Sequence, residues 1–327
     1  MNIRHYKKQH GFTLVEIFIA FAIGLVLFSG VISIFVGMST TTKETSSYGE
    51  LQENGRFAIS VLTDDLLKQN FWGDYSGTLV SSNLISVPAA PGNECVGNGV
   101  NNSTFPGAVG NFRTLWGQTV TTSNPMGCFN DAKVNVNPNS RSELIQIKRV
   151  IGNSLLVAPA GDYYFTSNTG KGAIHLGGAI PLIDNSRTWQ YQHHVYYVRE
   201  EAMGNEVVPV LMQGRLANLS MNFSPIIDGI EVIRFSYGID TSGDGEVNTF
   251  VSTDNMTNAL WDNANGLNKI LAVKIFVLAR STTPDFKYTN TSSYQMGDTQ
   301  VVVNDNYRRL LFTSTVVLPN ASTSSWN

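Results

Sequence analysis

Residues 11–21 read Gly11-Phe12-Thr13-Leu14-Val15-Glu16-Ile17-Phe18-Ile19-Ala20-Phe21, and Glu16 is the one charged residue in a run that is otherwise uncharged from Phe12 to Met38. A carboxylate in the middle of a hydrocarbon span costs about 2.5 to 3.5 kcal/mol on insertion scales, so Glu16 needs a partner. About 27 residues at 1.5 Å each give a helix of roughly 40 Å, more than a bilayer core requires. Arg4, Lys7 and Lys8 precede the run and no such cluster follows it at once. That asymmetry keeps the short N-terminus in the cytoplasm and exports the rest.

Three readings of this segment compete. A cleaved secretory signal would have an unbroken apolar stretch and a small-residue cleavage site beyond it, whereas Ala20-Phe21-Ala22 lies inside the run and Glu16 interrupts it. A plain anchor helix leaves Glu16 without a purpose. The third reading accounts for it. A glycine followed by Phe12, Thr13, Leu14, Val15 and Glu16, after a basic leader and ahead of a long apolar run, resembles the class III signal of type IV prepilins and type II secretion pseudopilins.

In that family a membrane-embedded aspartyl peptidase, the prepilin peptidase, cuts on the cytoplasmic side and methylates the new amine. The resemblance therefore implies cleavage between Gly11 and Phe12 and N-methylation of Phe12. The physical logic agrees, because the new cationic amine lies four residues from Glu16, one helical turn away on the same face. A cation there offsets much of the carboxylate's burial cost, whether it belongs to the same chain or to a neighbouring subunit.

No proline occurs before Pro88, so the helix can continue past the membrane. Beyond a polar patch, Leu51, Ala58, Val61, Leu62 and Leu66 recur at spacings near three and four, which predicts an amphipathic helix against a domain. Gly73 is the expected stop, with the helix ending near Asn70. Gly24, Gly30 and Gly37 are weak points along it.

After Gly73 the sequence is loop-rich to about Ser140. Strand-like runs then cover Leu144 to Ile151, Ser154 to Val157, Val195 to Val198, Val207 to Met212, Gly229 to Tyr237, Ile270 to Ala279 and Leu310 to Leu318. These predict an antiparallel sheet packed on the exported half of the helix. The stretches Arg56 to Gly73, Gly229 to Phe250, Leu260 to Ser281 and Tyr307 to Asn320 resemble the PilW family of minor pilins.

The expected fold class is α+β, a type IV pilin fold with a long N-terminal helix on an antiparallel sheet and a loop-rich insertion. The expected organisation is a cytoplasmic leader (1–11), a transmembrane or filament-core helix (12–38), its exported amphipathic half (39–72), an insertion (73–140), a β-rich domain (141–320) and a flexible tail (321–327).

The 22 basic and 25 acidic side chains nearly balance, and no basic cluster follows the leader, so a nucleic-acid surface is unsupported. The two cysteines, Cys95 and Cys128, would pair in an oxidising compartment; in the cytosol they would be unrelated thiols. Export favours the disulfide.

One loop has metal-like spacing. Asp240, Ser242 and Asp244 occupy positions one, three and five of an EF-hand-type loop, with Gly245 at six, the Glu246 carbonyl at seven and Asn248 at nine. Position twelve is Val251, where the bidentate glutamate should stand. The alternative is a solvated turn after a strand. A structural calcium is the one cofactor this sequence suggests, and none is required.

His193 and His194 are adjacent, so on a strand they face opposite sides, and His175 is isolated. Leu176 to Pro181 is a turn signal and not a phosphate cradle. No acid, base or nucleophile cluster points to an enzyme.

The expected role is that of a minor pilin: held in the inner membrane with its domain in the periplasm, partnered by prepilin peptidase and other minor and major pilins, and helping to initiate or prime pilus assembly before reaching the cell surface. A minor pseudopilin of type II secretion shares every N-terminal feature. A membrane-anchored periplasmic binding or adhesive domain that never polymerises is the alternative of a different class.

Overall fold

The computed structural model describes residues 11–77, 79–108, 110–129, 134, 141–204, 206–263 and 266–321. Residues 1–10 of the expected leader, 322–327 of the tail, and 130–133 and 135–140 of the insertion lie outside the described residues. The chain divides into two compact units, residues 1–49 and 50–327.

In the first unit the described residues are almost entirely helical. The helix, α1 (Leu14–Leu67), runs for 54 residues and continues into the second unit. Its N-terminal part is long and apolar enough to cross a membrane and buries nothing within the chain. Phe12, Val26 and Phe35 are each more than 70% exposed. The helix is unbroken at Gly24, Gly30 and Gly37, and a methyl group on any of them would meet nothing within 4 Å. The polar patch stays helical partly because Thr41, Thr42 and Thr45 turn their hydroxyls back onto the carbonyls of Gly37, Met38 and Thr41.

In the second unit α1 buries Leu51, Gly55, Ala58, Leu62, Asp65 and Leu66, at the spacing of one helix face. Val61, expected in the core, is half-buried and packs against its edge. Burial of each leucine contributes about 1.5 to 3 kcal/mol. Gly55 is a close approach, since a Cβ there would stand 2.1 Å from the Phe312 ring.

The helix stops at Leu67, three residues before the expected end. The amides of Lys68 and Gln69 bond three residues back, to Asp65 and Leu66, which tightens the last turn. Asn70 then takes a φ of 56° and reverses the chain, and Gly73 follows at 63° with the Trp189 ring where a Cβ would be.

The strands are β1 (Leu115–Thr119), β2 (Glu143–Leu155), β3 (Tyr163–Ser167), β4 (Gly172–Leu176), β5 (Arg187–Met203), β6 (Glu206–Ala217), β7 (Ser220–Asp228), β8 (Ile230–Asp240), β9 (Thr249–Ser252), β10 (Lys269–Arg280), β11 (Ser293–Met296), β12 (Thr299–Val302) and β13 (Arg309–Val317). A four-residue helix, α2 (Asn258–Trp261), separates β9 from β10.

β1 to β7 form one antiparallel sheet organised by the 17-residue β5. β2 lies along one edge of β5, while β3 and β6 follow one another along the other. β13, β10, β8 and β9 form a second sheet, and β11 and β12 a hairpin.

The period-two pattern of β8 decides the layering. Ile233, Phe235, Tyr237 and Ile239 enter the main core with Leu62 and Leu66 of α1 and Tyr196 of β5. Val232 points the other way, where Phe276, Leu278, Met296 and Val301 close a smaller core under the β11–β12 hairpin. The fold is thus α+β, a long N-terminal helix on antiparallel sheets.

Two sheets and a hairpin take the place of the single sheet expected. β1, β3, β4, β7, β9, β11 and β12 lie outside the runs read from the sequence. Ser154 to Val157 is not a separate strand: Ser154 and Leu155 end β2, which continues across an irregularity in its pairing with β5, and Leu156 and Val157 lie beyond it.

Candidate functional site

At the start of α1, Glu16 and Thr13 satisfy one another. The Thr13 amide and hydroxyl both donate to Glu16 Oε2 at 2.8 Å, and the Glu16 amide donates to Thr13 Oγ1 at 3.3 Å. This is a capping box, which occupies amides that the first helical turn otherwise leaves open. Its signature, Thr13-x-x-Glu16, is visible in the sequence, and it gives Glu16 a local partner beside the expected amine.

The Gly11–Phe12 bond lies immediately upstream of the capped amide. Phe12 and Glu16 share one groove of the helix with Ile17, Ala20, Phe21 and Gly24. Among the described residues a Cβ on Gly11 would meet nothing within 4 Å, so their packing does not call for glycine there.

Cys95 and Cys128 are joined in a disulfide that closes the insertion across 33 residues. By the chain-entropy account such a loop contributes about 3 to 4 kcal/mol.

The Asp240 loop is held from within. Asp240 Oδ1 accepts the amides of Ser242 at 3.0 Å and Gly243 at 2.6 Å, and Oδ2 accepts that of Gly245 at 2.8 Å. Asn248 Oδ1 accepts the Thr241 amide at 2.7 Å, and Asp244 Oδ1 accepts the Glu246 amide at 3.0 Å. Although burial opposes ionisation, the amides of Gly245, Gly243 and Ser242 hold the Asp240 carboxyl below its ordinary range. Val251, at position twelve, lies in β9 and pairs with Tyr237 of β8. Among the described residues no group of three or more His, Cys, Asp or Glu side chains is placed to hold a metal.

Two buried carboxylates went unread in the sequence. Asp65, on the buried face of α1, accepts from Arg149 Nε at 2.5 Å and from the Tyr196 hydroxyl at 2.8 Å, and lies 2.6 Å from His194 Nδ1. Burial resists its ionisation, yet His194, Arg149 and Tyr196 together hold it well below the usual carboxylate range. Glu143 Oε1 lies 3.0 Å from Arg234 Nη2, while its Oε2 accepts from the Phe235 amide at 2.7 Å and the Thr253 hydroxyl at 2.6 Å. Here burial wins, and the carboxyl is pushed up to about 7.

The adjacent histidines have separate surroundings. His193 sits between Thr104 and Gln146 while His194 meets Asp65, so both serve the packing of β5.

The pattern of the family described as Type IV Pilus-assembly protein W matches residues 195–320. The prokaryotic N-terminal methylation motif matches residues 6–32. The chain is thus similar to PilW proteins over residues 195–320 and carries the methylation motif ahead of that stretch. The PilW match runs from the middle of β5 through β13 and so takes in the whole second sheet and the hairpin. Three of the four stretches that resemble PilW in the sequence fall inside it, and Arg56 to Gly73 falls outside.

The methylation motif spans Gly11, Phe12, Thr13 and Glu16. The PilW family is one of pilin-like structural proteins. No curated protein matches the chain. Among solved structures, a type IV-like pilin from Thermus thermophilus aligns with 57% of this chain and 82% of its own, at 16% identity and a TM-score of 0.28.

Proposed function

We propose that this chain is a minor pilin, made as a precursor, cut after Gly11 and methylated at Phe12 by prepilin peptidase, and packed through α1 among other pilins to initiate or prime a type IV pilus. The observation that carries this reading is the start of α1, where one carboxylate is poised at a helix terminus next to the scissile bond and an exposed apolar helix follows. A glycine at position 11 that the packing of the described residues does not need is what a peptidase subsite would demand. Before cutting, the helix cap occupies Glu16; after it, the Phe12 amine becomes available as a cationic partner for the same carboxylate or a neighbour's.

With the helix across the inner membrane, the residues after it are periplasmic, which suits the Cys95–Cys128 disulfide. A photo-crosslinker placed at the exposed Phe28 tests the proposal in piliated cells. Adducts with other pilins are the expected result. Adducts with secretion pseudopilins would move the chain to type II secretion, and adducts with no pilin-like protein would leave an anchored domain that does not polymerise.

A further inference from the structure

A cleft of about 280 Å³ opens in the second unit between Trp116 on β1 and Trp261 on α2, with Asn98, Gln118 and Asn258 along its walls. Trp261 is held by its own support: its ring packs edge-on against Tyr237 with centroids 4.7 Å apart, and Thr257 caps the short helix that carries it.

The charged group in the wall is already neutralised. Asp254 accepts from the Thr119 hydroxyl at 2.6 Å and from Arg141 at 2.7 Å, and Arg234 lies 3.7 Å away. Asn258 Oδ1 accepts from Arg113. By contrast, among the described residues the side-chain amides of Asn98 and Gln118 and the indole N–H of Trp261 have no hydrogen-bond partner.

A cleft whose one carboxylate is paired with arginines, walled by two largely buried indoles and by unspent planar amides, selects its ligand by chemistry. A primary amide donates and accepts in one plane, which matches a pair of adjacent hydroxyls, and an indole offers an apolar face with one N–H at its edge. The volume lies near the lower end of small-ligand pockets and suits one or two sugar rings. A phosphate or nucleic acid would need free cations, and the arginines here are committed to Asp254 and Asn258.

We infer that the cleft between Trp116 and Trp261 binds a neutral carbohydrate, with Asn98 and Gln118 bonding its hydroxyls and Trp261 N–H a ring or hydroxyl oxygen. This holds whether or not the chain polymerises into a pilus.

The test uses the full chain in lauryldimethylamine oxide, a detergent without a sugar headgroup, titrated with maltotriose, triacetylchitotriose and lactose. Tryptophan fluorescence and calorimetry are followed together. At least one sugar should give saturable binding, and Asn98→Ala with Gln118→Ala should weaken it by at least about tenfold at an unchanged Tm. Trp261→Phe, which keeps the ring against Tyr237, should weaken it as well. No saturable binding with any of the three sugars, or binding that the Asn98→Ala, Gln118→Ala double variant leaves intact, would overturn the inference.

Discussion

The carboxylate of Glu16 caps the helix through Thr13, taking both its amide and its hydroxyl at 2.8 Å. Glu16 therefore has a partner before any processing takes place. The cap and the cationic amine draw on the same oxygens but ask different things of them, because a cap needs an acceptor and an ion pair needs a charge.

Substitutions can separate the two demands. Thr13→Val removes the hydroxyl but keeps the amide, and should cost about 0.5 to 2 kcal/mol of helix capping while leaving incorporation into filaments near normal. Glu16→Gln keeps an acceptor for Thr13 and removes the charge, and should be processed yet scarce in sheared filaments on an immunoblot. Normal incorporation of Glu16→Gln would show that assembly does not use the charge.

This pair also shows where the sequence was legible. The apolar run, its basic flank and the glycine before Phe12 each act locally, so reading them needed no fold. The amphipathic face of α1 was legible for the same reason, since Leu51, Ala58, Leu62 and Leu66 follow one period. Strands that earn their place by pairing were not. β7 holds Pro225, which argues against a strand until β7 proves to be an edge that pairs only with β6. β3 and β4 are five residues each, β3 held by β5 and β4 by β3. Asp65 looked like one more surface charge on a helix, because its partners Arg149 and His194 lie more than eighty residues away.

Asp65 ties the last turns of α1 to β2 and β5. Its removal in Asp65→Ala would strand Arg149, whose side chain is 8% exposed, without a counter-charge. The expected loss is about 3 to 5 kcal/mol in a denaturant titration. Asp64→Ala, one residue away and exposed in an i, i+4 pair with Lys68, should cost less than about 1 kcal/mol. Equal losses at the two positions would mean that the buried network does not anchor the helix.

The two buried carboxyls give stability opposite pH dependences. Glu143 has a folded pKa of about 7 against an ordinary 4.5, so between these values the folded chain holds a proton that the unfolded chain has released. Its contribution falls as pH rises through that window and is flat above it. Asp65 is shifted downward, so its contribution is present above its ordinary value of 3.8 and is lost as pH falls below it. Melting curves should therefore show Glu143→Gln gaining on the unaltered chain from pH 4.5 to 7. Asp65→Asn should lose its deficit only in stronger acid. A constant offset between Glu143→Gln and the unaltered chain across pH 4.5 to 7 would remove the assignment.

The Asp240 loop offers two outcomes in one measurement. If calcium is held by Asp240, Ser242, Asp244, the Glu246 carbonyl and Asn248, then adding calcium raises Tm, EDTA lowers it, and Asp240→Ala abolishes the difference. If the loop is a turn closed by its own amides, Asp240→Ala lowers Tm by the same amount in either solution. The Asp240 carboxylate already accepts three amides and Asn248 Oδ1 another, and Val251 supplies no oxygen side chain at position twelve, so the second outcome is the expected one. Asp240→Asn keeps one acceptor oxygen and should fall between the two in Tm. A calcium-dependent Tm in the unaltered chain that Asp240→Ala erases would establish the cation site instead.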